Sequence, residues 1–276
     1  MIDCISLREN VHPFFETPHD HPPKHLFMIT VYLDETRHSE PRDFAFVAGF
    51  RGTEDQWNKF IPAWKGALGK RASLHMKDLR WGGQHSENRV KPLLERLGPI
   101  PYECGLIPVY GGVRVNDYYD LMANETIFKQ KVMGYIVCLA AAFTLLMETV
   151  AGHESIKIVC EAQHEFEVGA KRLFRIYRYL AGQNPSRPYL SSIEYVEKNA
   201  LLEPADYLAF ALGKHFNENG SKKDLWCRPI HGEQFQLPCP AGYWLTAEGA
   251  RKTFQMIVDD VEANARKGKF LPASAS

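Results

Sequence analysis

Residues Phe27 to Leu33 (FMITVYL) form an apolar run that stops abruptly at Asp34 and Glu35. This is the profile of a buried strand leading into acidic residues. Phe44 to Phe50, FAFVAGF, predicts a second strand, and the polar, Pro-containing TRHSEPRD between them suits a hairpin connection. Thr53 is placed to cap a helix. Glu54 and Asp55 fall in its first turn, and Trp57, Phe60, Ile61, Trp64 and Leu68 follow at helical spacing. Pro62 opposes that helix unless it falls in the first turn or two. LHMKDL (Leu74 to Leu79), a Gly-rich loop and a short helix near Glu87 to Leu97 come next.

Glu103 to Val109 predicts a third strand, followed by a long helical stretch over about residues 117–150. Ile156 to Cys160, IKIVC, predicts a fourth strand with Glu161 directly after it. Phe166 to Leu180 reads as a helix in which Lys171, Arg172, Arg175 and Arg178 interleave with apolar residues. Ser191 to Val196 alternates like a fifth strand. Pro204 suits the first turn of a helix through Ala205 to Phe216. The chain is then loop-rich to Leu245, and Thr246 to Ala265 predicts a final amphipathic helix. Three strands followed by helix–strand alternation predict an α/β fold: a mixed five-stranded sheet with helices packed on it. No internal repeat is visible. The organisation expected is an irregular Pro- and His-rich arm (1–25), one domain (26–216) and a C-terminal loop-and-helix extension (217–276).

Composition narrows the function less than the pattern narrows the fold. The 276 residues are 45% hydrophobic and 24% charged, ordinary for a packed protein. Lys+Arg and Asp+Glu both number 33. Zero net charge removes the easy argument for a nucleic-acid binder without excluding a local basic groove. The longest apolar run, Val132 to Met147, is 16 residues, short of the roughly 20 that cross a bilayer, so no membrane association is expected. Six cysteines (Cys4, Cys104, Cys138, Cys160, Cys227, Cys239) are scattered without a CxxC pair, which suggests a reducing compartment. MIDCISLREN lacks a basic region followed by an apolar core. A cytoplasmic location is the resulting expectation.

The candidate chemistry is acidic. Asp34 and Glu161 each follow an apolar strand at its carboxyl end, where sites form in open α/β sheets. Asp206 lies just inside a helix start among apolar neighbours. Three converging carboxylates repel one another, and Mg²⁺ or Mn²⁺ relieves the repulsion through hard oxygen ligands. Acids also end strands and open helices for purely structural reasons, so spacing alone leaves both readings open. His75, Lys77 and Asp78 sit in LHMKDL, either beside a reacting phosphate or on an ordinary surface loop. Gln163 and His164 follow Glu161; His164 is either a proton shuttle or an exposed residue at a helix start. Lys171, Arg175 and Arg178 share a helical face that would suit a nucleic-acid backbone or simply solvent. Cys227, His231 and Cys239 lack a standard zinc spacing and an evident fourth ligand. His12, His19, His21 and His25 belong to the Pro-rich arm. No P-loop, GxGxxG or GxSxG motif is present.

YLDET, FAFVAGF, the helix with Trp57 and Trp64, and LHMKDL together resemble the start of the domain-of-unknown-function family DUF3800. NALLEPADYLAFALGKHF (Asn199 to Phe216) resembles that family's Q-x-AD-x-x-A helix, and IVCE (Ile158 to Glu161) its central strand and acid. These segments span about residues 27–216. The resemblance implies a ribonuclease H-like fold in which the strand with the first acid lies beside the fourth strand. It implies metal ligation by Asp34, Glu161 and Asp206, with Glu35 as an outer or fourth acid. Thr36 stands where Ser is common. Glu203 and Pro204 replace Gln and an apolar residue, and Glu203 would either alter the metal geometry or cap its helix. The function expected is divalent-metal-dependent phosphodiester hydrolysis of DNA or RNA, with His75 or Lys77 near the scissile phosphate. A non-catalytic scaffold of the same fold, in a defence or mobile-element assembly, is the alternative; a hydrolase of a small phosphorylated molecule is the third. A homodimer or larger complex is compatible with all three.

Overall fold

The computed structural model describes residues 27–36, 44–79, 86–114, 130–217 and 242–245, with 249, 252, 255, 256 and 259. The chain has a mixed α/β fold. Strand β1 (Phe27–Glu35) pairs antiparallel with β2 (Phe44–Thr53), and β2 pairs antiparallel with β3 (Ile107–Arg114). On its other side β1 pairs in parallel with β4 (Glu154–Glu161), which pairs in parallel with β5 (Tyr189–Val196). A sixth strand, β6 (Gly242–Leu245), extends the sheet beyond β3, giving the order β5-β4-β1-β2-β3-β6. The sequence pattern missed β6, because four residues in a loop-rich stretch carry no period of their own. Part of the expected C-terminal extension thus joins the sheet.

Helices cover both faces. Helix α1 (Glu54–Leu68), α2 (Lys91–Leu97), the single turn α3 (Ile100–Glu103) and α6 (Glu203–Asn217) lie on one side; α4 (Gln130–Thr149) and α5 (His164–Gly182) lie on the other. Alternation along β1 divides the two cores. Ile29, Val31 and Leu33 enter the α4/α5 core, and Tyr32 packs into the α1/α6 core.

Helix α1 starts as expected, with a capping box. The Thr53 hydroxyl accepts from the Gln56 N–H, and the Gln56 side chain accepts from the Thr53 N–H. It then runs past Pro62, which lies beyond the first two turns where proline is easily borne. Pro62 is exposed, while Trp57, Phe60, Trp64 and Leu68 are all buried, and their packing outweighs the lost backbone hydrogen bond. The third strand also lies later than predicted. Glu103 belongs to α3, and Gly105 at φ 77° turns the chain before β3 begins at Ile107. The apolar segment IPVYGGVR hides its strand character behind Pro108, Gly111 and Gly112.

Gly111 is required by contact. A Cβ there would lie 2.2 Å from Cys138 O and 2.4 Å from Ala142 N, both backbone atoms of α4. The missing side chain lets α4 lie directly on the sheet. The expected arm (1–25), the hairpin residues 37–43, residues 117–129 of the long helix, the Cys227–His231–Cys239 group and nearly all of the final helix lie outside the described residues. The few described there (Gly249, Lys252, Gln255, Met256, Asp259) are helical. Among the described residues no helix is long and apolar enough to cross a membrane.

Overpacking by one methyl against fixed backbone costs about 1–3 kcal/mol. Gly111→Ala is expected to lower the unfolding free energy by about that amount in a urea titration, with the slope unchanged. A variant as stable as the wild type would show that α4 can shift away.

Candidate functional site

The parallel register of β1 and β4 pairs Leu33 with Cys160. The next residues along, Asp34 and Glu161, therefore emerge side by side at the carboxyl ends of the two strands. Cys160 faces the α4/α5 core, so alternation turns Glu161, like Asp34, towards α6. Asp206 comes from the first turn of α6, which packs over β1 and β2. The three acids singled out from the sequence are thus brought together from three separate elements.

A lysine stands among them. Lys198, in the segment joining β5 to α6, places its Nζ 2.5 Å from Asp206 Oδ2, 3.8 Å from Glu161 Oε2 and 3.9 Å from Asp34 Oδ2. The sequence reading missed it. The rule that marks Asp34 and Glu161, an acid directly after an apolar strand, passes over Lys198, a lysine two positions after Val196. His75 joins the same group: its Nδ1 lies 2.7 Å from Asp206 Oδ2 and 2.6 Å from Lys198 Nζ. The Met76 N–H donates to the same carboxylate oxygen at 3.0 Å. LHMKDL is accordingly held at the site by a one-turn 3₁₀ helix, Met76–Asp78, with Leu74 and Met76 buried beneath it. Lys77 and Asp78 point outward and are exposed.

The other marked residues are placed elsewhere. Alternation along β1 turns Glu35 to the opposite face from Asp34. There its carboxylate accepts a hydrogen bond from Gln163 Nε2, while the Glu35 N–H donates to Asp34 Oδ1 at 2.8 Å. Thr36 closes the hairpin, its hydroxyl accepting from the Phe46 N–H at 3.0 Å. The His164 side chain is fully exposed at the start of α5. Lys171 lies over the Tyr195 ring and pairs with Glu167 at 3.0 Å, and Arg178 lies over Tyr189. These cations belong to α5, across the sheet from Asp34. Glu203 does not reach into the cluster: its buried carboxylate accepts from the Trp64 indole N–H at 2.7 Å and ties α6 to α1.

The electrostatics divide the acids. Asp34 is 5% exposed. Burial, then the charges of Glu35, Asp206 and Glu161, push its carboxyl well above the usual carboxylate range, against the pull of Lys198. Glu35 is raised as well, chiefly by burial, with hydrogen bonds to Gln163 and Asp34 opposing. Burial also works to raise Asp206, but the Lys198 ammonium and the hydrogen bonds from Lys198, His75 and Met76 outweigh it and hold that carboxyl below its ordinary value. The site therefore pairs a well-compensated acid, Asp206, with a poorly compensated one, Asp34.

As donors, three carboxylates and an imidazole fit a hard or borderline divalent cation. The under-compensated Asp34 is the acid such an ion would relieve most. As the side chains stand, the Lys198 ammonium takes the central place, and among the described residues no group of three or more His, Cys, Asp or Glu is arranged to hold a metal ion. No family model and no curated protein matches the chain.

Two outcomes follow for the metal-free protein. An ionised Asp34 is disfavoured by the fold, so Asp34→Asn is expected to raise the unfolding free energy by about 1–2 kcal/mol at neutral pH. Asp206→Asn is expected to lower it by a similar amount, because it strips the closest counter-ion from Lys198. Thermal denaturation in EDTA measures both; shifts of the same sign would contradict this division. A third outcome concerns Glu203, whose carboxyl is raised from 4.5, first by burial. Below that value both states carry the proton. As pH rises the unfolded state loses it first, so stability falls until the folded group has titrated too. Glu203→Gln keeps an oxygen for Trp64 without the charge. Its melting temperature is expected to gain on the wild type as pH rises above 4.5; a constant difference would refute the assignment.

Proposed function

We propose that this chain is a divalent-metal-dependent phosphodiesterase acting on nucleic acid, with a ribonuclease H-like arrangement of its acids. One observation carries the reading: Asp34, Glu161 and Asp206, remote in sequence, meet within 4 Å of a single cationic centre at the carboxyl ends of adjacent parallel strands. Support also comes from the order β5-β4-β1-β2-β3, with the first acid's strand beside the fourth, as the DUF3800 resemblance implies. Asp34, Glu161 and Asp206 would hold Mg²⁺ or Mn²⁺, which when bound supplies an activated water and stabilises the leaving oxygen.

The protein's own groups do the positioning. The β1–β4 register fixes Asp34 and Glu161 against each other without a loop between them. The Met76 N–H and His75 Nδ1 fix the Asp206 carboxylate, leaving His75 Nε2 as the ring atom that can give or take a substrate proton. Gln163 holds Glu35 beside Asp34, where its charge works against an ionised Asp34.

A second reading is favoured by Lys198. A cluster already neutralised by its own lysine would need no metal, and the fold would then serve as a non-catalytic scaffold. Cleavage assays separate the two. Single- and double-stranded DNA and RNA are incubated with Mg²⁺, Mn²⁺ or EDTA, beside the Asp34→Asn variant. The expected result is metal-dependent cleavage that falls by about a hundredfold or more in the variant, since weaker outer contacts alone are worth 10–100-fold. Folded protein that cleaves none of these substrates would overturn the nuclease reading and favour the scaffold.

A further inference from the structure

We propose that Lys198 is a resident cation which a divalent metal ion must displace, so that metal binding and withdrawal of the Lys198 side chain are a single event. The inference rests on the metal-dependent reading above and adds a means of control to it.

Lys198 Nζ lies 2.5 Å from Asp206 Oδ2, on an oxygen that also has His75 Nδ1 at 2.7 Å and the Met76 N–H at 3.0 Å. The Met76 donor is backbone and stays. A divalent ion sits about 2.0–2.6 Å from a carboxylate oxygen, the distance at which the ammonium now lies. Two cations at such separation repel strongly as well. Metal and lysine therefore exclude each other at this oxygen.

The lysine is also imperfectly held. Lys198 Nζ, His75 Nδ1 and Asp206 Oδ2 form a triangle with sides of 2.5, 2.6 and 2.7 Å. If Nδ1 carries a proton it donates to Asp206, and its N–H then crowds the ammonium. If Nδ1 is bare it accepts from Lys198, and the ring nitrogen then faces the carboxylate oxygen with no proton between them. One side of the triangle is repulsive in either tautomer. Withdrawal of Lys198 leaves an ordinary His75–Asp206 hydrogen bond. The other two acids lie 3.8 and 3.9 Å from Nζ, beyond hydrogen-bond reach. A single positive charge also faces three carboxyl groups, and a divalent ion brings twice that charge to them. Lys198 lies in the non-helical, non-strand segment before α6, and its side chain is 20% exposed. It can swing outward without disturbing a strand or helix.

The test uses Mn²⁺ alone. If the lysine-out state is about a tenth of the population, removing the lysine tightens apparent binding about tenfold. Mn²⁺ titrations followed by electron paramagnetic resonance on the full chain and on Lys198→Met are expected to read that gain. Equal or weaker binding by the variant overturns the proposal while leaving the metal reading intact. Binding by neither protein overturns both. Should Lys198→Met not fold, the wild type decides. Acetylation of Lys198, mapped by mass spectrometry, is expected to rise several-fold when Mn²⁺ saturates the protein, and unchanged acetylation with the metal bound overturns the proposal.

Discussion

The parallel pairing of β1 with β4 is the constraint on which the rest depends. It joins an antiparallel half, β1-β2-β3, to a parallel half, β4-β5, through one register. That register matches Ile29 with Ile156, Val31 with Ile158 and Leu33 with Cys160 on the face covered by α4 and α5. Because side chains alternate strictly along a strand, the same register sends Asp34 and Glu161 to the opposite face together. A one-residue slip of either strand would turn that strand's carboxylate under α4 and α5 and its aliphatic row to the other face, and the two acids would no longer meet. The packing that stabilises the sheet thus also fixes the spacing of the acids, and their chemistry needs no scaffold of its own.

Placing acids there creates an electrostatic load that the neighbouring elements carry unequally. Asp206 is met by an ammonium, an imidazole and a backbone N–H, and its carboxyl is held low. Asp34 has its own strand's Glu35 N–H and a more distant ammonium, and its carboxyl is held high. Buried charge of this kind persists where it is compensated or where it is used. Glu203 shows the contrast. It is buried and close in sequence to Asp206, yet its carboxylate is taken up by the Trp64 indole and serves to tie α6 to α1. Two acids three residues apart on one helix therefore play different parts, set by what each meets.

Close packing has a comparable role on the other face. Gly111 removes a side chain where α4 crosses β3, bringing helix backbone against strand backbone. The helix can then bury Val137, Cys138, Leu139 and Phe143 almost completely. The segment VYGGVR reads poorly as a strand for the same reason that it works as one: its glycines serve the helix above it rather than the strand's own propensity.

Local chemistry in the sequence determined the strands β1, β2, β4 and β5, the capped start of α1, Pro204 in the first turn of α6, and Asp34 and Glu161 at strand ends. Each of these rests on side-chain period or on a cap, which neighbours in the chain dictate. The tertiary structure decided what depends on partners distant in sequence. It carried α1 past Pro62, because the aromatic residues around it are packed from the far side. It moved the third strand into the glycines of Ile107–Arg114 and added β6 at the edge, where pairing rather than pattern makes the strand. It gave Glu35 a partner in Gln163 on the other side of the strand, and it withdrew Glu203 to Trp64. It also brought Lys198 into the carboxylates, a position no spacing announces, since a lysine in a loop acquires meaning only from the charges it is folded against.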